Sequence, residues 1–208
     1  MTFKDRHDAG KQLVSLLTKY KKNQNAIVLG LPRGGVVTAY EIAQGLELPL
    51  DVICPRKVGA PQNPELAIGA VTETGEGYFN EDLIIRLNVS ESYLSRAIEE
   101  EKKRAQFRLA LYRKGRAPLN LEDKIVIIVD DGLATGATMK AAIQSVQKMG
   151  AQSVVVAVPV SPPETLKDIE AMVDEVACVD TPIFFQAVGQ FYEEFGQTED
   201  EEVIKLLS

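Results

Sequence analysis

The chain holds no tryptophan, one histidine and two cysteines among its 208 residues. His7 stands alone in a polar N-terminal stretch. Neither a Cys/His zinc cluster nor a Ser-His-Asp triad with a core histidine can therefore be assembled. Cys54 and Cys178 fall in separate apolar runs and read as reduced core thiols rather than a disulfide or metal ligands. No apolar run approaches the roughly 20 residues that a membrane span needs. The opening "MTFKDRHDAGKQ" has no apolar signal segment, so the expectation is a soluble, cytoplasmic protein without a membrane partner. Basic blocks are scarce too: "EKKRAQFRLALYRKGR" is the only one, and it reads as a solvated helix of mixed charge. With a net charge of −7 and a pI near 4.9, nucleic acid is not an expected partner.

What is present is an α/β pattern. Hydrophobic residues make up 45% of the chain, enough for one domain with an appendage. Residues 5–20 have helical apolar spacing. "AIVLG", "LPLDVICP", "KIVIIVDD", "QSVVVAVPV" and "EVACV" read as strands, with helices between most of them, which predicts a mostly parallel central sheet. Residues 56–81 break the alternation: an exposed loop over 57–64, a strand over 66–72, a turn at "ETGEG" and a short return strand. A long helix over about 91–113, capped near Ser90, follows. Proline opens the helix at "PPETLKDIEAMV". After Pro182 the chain turns aromatic and ends in a short helix.

Three loops carry chemistry. In "VIIVDDGLATGAT", residues Gly132–Thr138 lie between a strand and a helix, where unpaired amides and the helix dipole favour an anion. Gly132 and Gly136 allow tight turning, and Thr135 and Thr138 add hydroxyls, so a phosphate monoester fits. The spacing is not that of a P-loop, and no lysine lies in the loop, which disfavours nucleoside-triphosphate hydrolysis. Asp130 and Asp131 stand just before it; two adjacent carboxylates suit a vicinal diol or a hydrated Mg²⁺. A helix cap plus a turn aspartate would explain one acid but not both with the loop. The second loop, "GLPRGG", also joins strand to helix, and Arg33 can fork onto a second phosphate. Alone, it could be an ordinary turn. Third, Arg56-Lys57 end the second strand; alone they would be surface charge, but beside two anion loops they read as diphosphate neutralisation.

The stretch "VIIVDDGLATGAT" resembles the signature of type I phosphoribosyltransferases. Together, "RKVGAPQNPELAIGA", "VVVAVPV" and "AVGQFYEEF" are similar to a bacterial and archaeal subfamily of stand-alone members with no assigned acceptor. The resemblance covers nearly the whole chain. It implies one domain over 1–208, with a core at about 24–180, a flap at about 56–81 and a hood from about 1–20 and 181–208. It implies that phosphoribosyl pyrophosphate (PRPP) is bound by Arg33, Gly34, Gly35, Arg56, Lys57, Asp130, Asp131, Gly132, Leu133, Ala134, Thr135, Gly136, Ala137 and Thr138. Asp130 and Asp131 would orient the ribose hydroxyls and hold Mg²⁺ directly or through water and those hydroxyls, while residues 132–138 wrap the 5-phosphate. Arg33, Gly34 and Gly35 match the pyrophosphate loop, with a cis Pro32–Arg33 peptide expected, and the flap would close over the sugar.

The implied reaction is attack by an acceptor nitrogen on C1 of PRPP with loss of pyrophosphate, with Arg33, Lys57, Asp130 and Asp131 as its catalytic residues and a homodimer as the expected assembly. Ala134 departs from the 6-oxopurine salvage enzymes, which carry an aspartate there, so hypoxanthine and guanine are disfavoured as acceptors and a pyrimidine is weakly favoured. Phe184, Phe185, Phe191 and Tyr192 could stack on a flat base or simply pack the hood, and Glu65 could reach the site from the flap. The alternative from another class is a PRPP-sensing regulatory module without turnover. It would usually need a basic surface or nucleic-acid-binding extension, and neither is evident.

Overall fold

The computed structural model describes residues 2–208, the side chain of Glu65 excepted. Five strands, β1 (Ala26–Gly30), β2 (Leu50–Val52), β6 (Ile125–Val129), β7 (Ser153–Val160) and β8 (Glu175–Asp180), form a sheet in the order β2-β1-β6-β7-β8. Every pairing in it is parallel. The run "IVIIV" shows why. Val126 and Ile128 point into one apolar layer and Ile127 and Val129 into the other, so branched side chains at successive positions fill both faces.

One face is covered by α5 (Ala137–Lys148) and α6 (Pro163–Glu170), with Met139, Ile143, Val146 and Ile169 buried against the strands. On the other lie α1 (Arg6–Leu16) and α2 (Gly34–Leu46), through Leu13, Ala39, Ile42 and Leu46. The helix α1 is thus a core layer. Its first turns and the chain before it also meet the C-terminal segment: Ala9 packs with Phe191 and Tyr192, the Phe3 amide donates to the Phe191 carbonyl at 2.7 Å, and the Phe3 and Tyr192 rings lie 5.4 Å apart. A third apolar cluster sets α4 (Glu91–Tyr112) and α7 (Asp200–Leu207) against Val36, Val52 and Cys54.

The segment read as a loop over 57–64 is instead β3 (Arg56–Ala60), and the exposed turn is confined to its tip. With β4 (Asn63–Val71) and β5 (Gly77–Phe79) it makes a three-stranded antiparallel sheet. The reason is burial: Val58, Ala60, Ile68 and Val71 pack against Tyr93, Leu94, Ala97 and Ile98 of α4 and against α3 (Glu81–Arg86), a short helix that the sequence reading did not separate. At its base, the Thr72 and Thr74 hydroxyls lie 3.2 and 3.1 Å from the Ser145 hydroxyl on α5. Asn80 caps α3 and Ser90 caps α4, the latter as the sequence implies. Among the described residues, no helix is long and apolar enough to cross a membrane.

Candidate active site

In register, Gly30 lies opposite Val52 on one side and Val129 on the other, and Val129 opposite Ala157. The loops after β1, β2 and β6 therefore leave one edge of the sheet side by side. This is the carboxyl edge, at the point where the strand order reverses, the crevice in which parallel α/β sheets bind ligands.

The two acids sit directly against the β1 loop. A Cβ added at Gly34 would fall 2.0 Å from Asp131 Oδ2, and one at Gly35 would fall 2.8 Å from Asp130 Oδ1. Only glycine lets the backbone approach the carboxylates this closely. The Pro32–Arg33 peptide is cis, as the sequence reading expects. The Asp131 amide donates to Asp130 Oδ1 at 2.9 Å. Withdrawal of its carboxyl from water, and then the charge of Asp131, push Asp130 well above the usual carboxylate range. Asp130 thus holds a proton more readily than a free aspartate would.

Asp131 has a partner that the sequence reading missed. Arg6 Nε donates to Asp131 Oδ2 at 2.6 Å, with only 13% and 17% of the two side chains exposed. Arg6 Nη1 also donates to the Gly196 carbonyl at 2.8 Å, and its guanidinium lies 3.9 Å over the Phe195 ring. The Tyr192 hydroxyl donates to the Asp131 carbonyl at 2.6 Å; burial, and then Asp131, hold that phenol far above its ordinary pKa, so it is a donor at any working pH. Both chain ends converge on Asp131.

In the loop after the acids, Gly132 and Gly136 have φ of 153° and 71°, left-handed values that favour glycine. Leu133 is buried and anchors the turn, while Ala134 and Thr135 are exposed. Thr165 of α6 donates to the Ala134 carbonyl at 2.7 Å. Gly136 caps α5, so the amides of the first turn of that helix face the loop. Lys140, one turn on, is turned away: its ammonium donates to Asp168 at 2.7 Å and lies 4.8 Å from the Tyr78 ring.

A cavity of about 530 Å³ opens beside this edge. Pro32, Arg56, Lys57 and Thr138 line it, joining the three loops, and α4 contributes Glu100, Glu101, Arg104 and Arg108. The cations expected to meet a diphosphate are engaged internally. Arg33 Nη1 lies 3.3 Å from Glu199 Oε2, and Arg56 Nε lies 3.0 Å from Glu101 Oε2. Arg104 donates to the other Glu101 oxygen at 2.5 Å. The basic block around residues 101–116 is therefore not simply a solvated face. Arginines four apart on α4 share a side, but without knowing what α4 packs against that spacing carries no signal in sequence. A further cavity of about 680 Å³, lined by Gln62, Leu66, Leu87 and Tyr93, lies at the tip of the antiparallel sheet, remote from the two acids.

Of the four rings offered for base stacking, Phe191 and Tyr192 are buried in the small core with Phe3, Phe185 packs on Phe191 at 5.3 Å, and Phe184 is 89% exposed. The expectation for Glu65 falls outside the described residues. Among those residues, no group of three His, Cys, Asp or Glu side chains is placed to hold a metal ion.

A family model described as a phosphoribosyl transferase domain matches residues 4–194. A Mycobacterium tuberculosis protein named provisionally as a phosphoribosyl transferase is 43% identical over 205 residues, which are 99% of this chain and 46% of that protein. The chain thus spans about half the length of the curated relatives it matches. A Thermus thermophilus crystal structure superposes with a TM-score of 0.84 at 42% identity, over 100% of this chain and 98% of that one. A Pyrococcus horikoshii structure titled purine phosphoribosyltransferase shares the fold, with a TM-score of 0.52 at 20% identity over 95% and 97% of the two chains.

Proposed function

This chain belongs to the phosphoribosyl transferase family, and we propose that it transfers the 5-phosphoribosyl group of PRPP to a nitrogen of a small acceptor, releasing pyrophosphate. The observation that carries this reading is the contact between the start of α2 and the two acids: Gly34 and Gly35 lie against the carboxylates of Asp130 and Asp131, beside a cavity lined by Arg56, Lys57 and Thr138. A sugar whose 5-phosphate sits on residues 132–138 has its 2- and 3-hydroxyls toward the acids and its diphosphate toward the cavity. The bond from C1 to the diphosphate oxygen breaks with its electron pair leaving on pyrophosphate. The acceptor nitrogen's lone pair forms the new bond to C1, and the nitrogen's proton is lost to solvent. Positive charge grows on the ribose as negative charge grows on the leaving group, so fixed charges suffice, and each ~1.4 kcal/mol of such stabilisation is worth about tenfold in rate.

The two acids present a donor set suited to Mg²⁺. Among the described residues no third acid joins the two carboxylates, so they would suit an ion held partly by water and ligand rather than one caged by the protein. Asp130 and Asp131 would hold it, and when bound it neutralises charge on the diphosphate. Among acceptors, a nucleobase other than a 6-oxopurine is favoured, because Ala134 offers no side chain to exchange a proton with a purine ring nitrogen.

The test is pyrophosphate release from PRPP with Mg²⁺ across a panel of nucleobases and small amines, with the ribosylated product identified by mass. Release that depends on one acceptor is the expected result. PRPP binding without release for every acceptor makes the chain a sensor instead. No binding of PRPP at all overturns the reading.

A further inference from the structure

We infer that Arg108, on the long helix α4, is a further binding residue for the diphosphate leaving group, with Arg104 one turn earlier as its neighbour. This rests on the phosphoribosyl-transfer reading and extends it to a helix that no sequence signature marks. Arg108 lines the same cavity as Pro32, Lys57 and Thr138. It also lines an adjoining hollow of about 400 Å³ with Lys103, Phe107 and Asp200.

Three facts single it out. First, Arg33 and Arg56 are committed to Glu199 and Glu101, and Arg104 shares Glu101 with Arg56. Among the described residues, Arg108 makes no hydrogen bond or ion pair, although it is half-buried. A guanidinium partly withdrawn from water without an anion forgoes solvation and gains nothing in return, unless a ligand supplies the anion. Second, the cavity wall carries Arg56, Lys57, Arg104 and Arg108 against Glu100 and Glu101, four positive and two negative, or +2 net. That excess sits in a chain of net charge −7. Third, residues four apart on a helix project from one side, so Arg104 and Arg108 both face the cavity. Guanidinium forks match phosphate oxygens in pairs, and a diphosphate offers two such groups.

Glu101 then acts as the internal counter-anion. It occupies Arg56 and Arg104 until a diphosphate competes for them, so its neutralisation has the opposite effect to loss of Arg108.

The experiment measures two ligands by calorimetry on the full chain: pyrophosphate with Mg²⁺, and ribose 5-phosphate. Arg108→Ala is expected to weaken pyrophosphate about tenfold to hundredfold, the scale of one lost charged contact, and to leave ribose 5-phosphate unchanged. Arg108→Lys restores part of the loss, and Glu101→Gln tightens pyrophosphate binding. If Arg108→Ala leaves pyrophosphate affinity unchanged while the parent binds it, the inference is overturned. Equal weakening of both ligands marks a structural role and also overturns it. A parent chain that binds neither ligand sinks the transfer reading itself, a result distinct from the other two.

Discussion

Residues 125–142 present strand, acids, glycine-bearing turn and helix as one continuous run, whereas the charges around them come from the rest of the chain. Asp130 and Asp131 are held by their own strand and by the backbone of the neighbouring loop. Their counter-charges and those of the facing arginines lie far off in sequence: Arg6 to Asp131 spans 125 positions, and Arg33 to Glu199 spans 166. A site assembled from contiguous chain is set as soon as the sheet forms. One closed by distant ion pairs depends on both chain ends arriving, and it can be altered without touching the sheet.

The largest expected effect strikes the contiguous part. Asp131→Asn should lower kcat/KM by at least about a hundredfold, near 3 kcal/mol of lost transition-state stabilisation. Because it also removes the partner of Arg6, the melting temperature should fall by a few degrees, for a cost of about 1–2 kcal/mol. Steady-state kinetics and thermal melts check both, and a folded variant with near-normal turnover contradicts the assigned role. Next comes Gly34→Ala, whose new methyl would need the space 2.0 Å from Asp131 Oδ2. Loop and acid must separate, so PRPP affinity should drop by about tenfold or more. Titration that finds parental affinity would mean that the loop yields freely and does not define the site.

The contrast also explains what could be read in advance. The parallel sheet, the two glycine-bearing turns from strand to helix and the cap at Ser90 follow from local signals: branched runs, glycines at turns, a hydroxyl before a helix. The antiparallel sheet at 56–79 is half hidden in the sequence, because Pro61, Pro64 and several glycines accompany strands whose apolar positions, such as Val58 and Ile68, gain meaning only from α4 packed on them. Arg6, Glu101, Glu199 and Arg108 were silent for a different reason. A charged residue on a polar helix looks like solvated surface until the fold brings an opposite charge or a cavity to it.

Coupling across the two regions is of middle size. In a double-mutant cycle, Arg6→Gln and Asp131→Asn should each cost stability, and their sum should exceed the cost of the double variant by about 1–2 kcal/mol, as for a partly buried ion pair. Additive costs in chemical denaturation would show that the chain ends do not hold Asp131.

The smallest effect tests a buried carboxyl at the base of the antiparallel sheet, where the sequence showed only a turn. Glu73 is buried at the base of the antiparallel sheet, and its carboxylate accepts the Cys54 amide at 3.1 Å. Burial raises its pKa, and the amide contacts and Arg113 offset this only in part. The sign follows from proton counting. An unfolded glutamate ionises near pH 4.3, about the ordinary value. Above that, the folded chain keeps a proton that the unfolded chain has lost. Stability therefore falls as pH rises from the ordinary carboxylate pKa to the raised one, and levels off beyond it. Glu73→Gln keeps an oxygen for the Cys54 amide and removes the titration. It should flatten this part of the pH profile and raise Tm at pH 7 by roughly 2–4 °C, the equivalent of about 1 kcal/mol in a chain of this size. Melts from pH 4 to 8 decide it. A variant less stable than the parent at pH 7 would mean that Arg113 outweighs burial and that Glu73 is a stabilising anion, making the base of the antiparallel sheet as firmly charge-locked as the two acids at the edge of the parallel one.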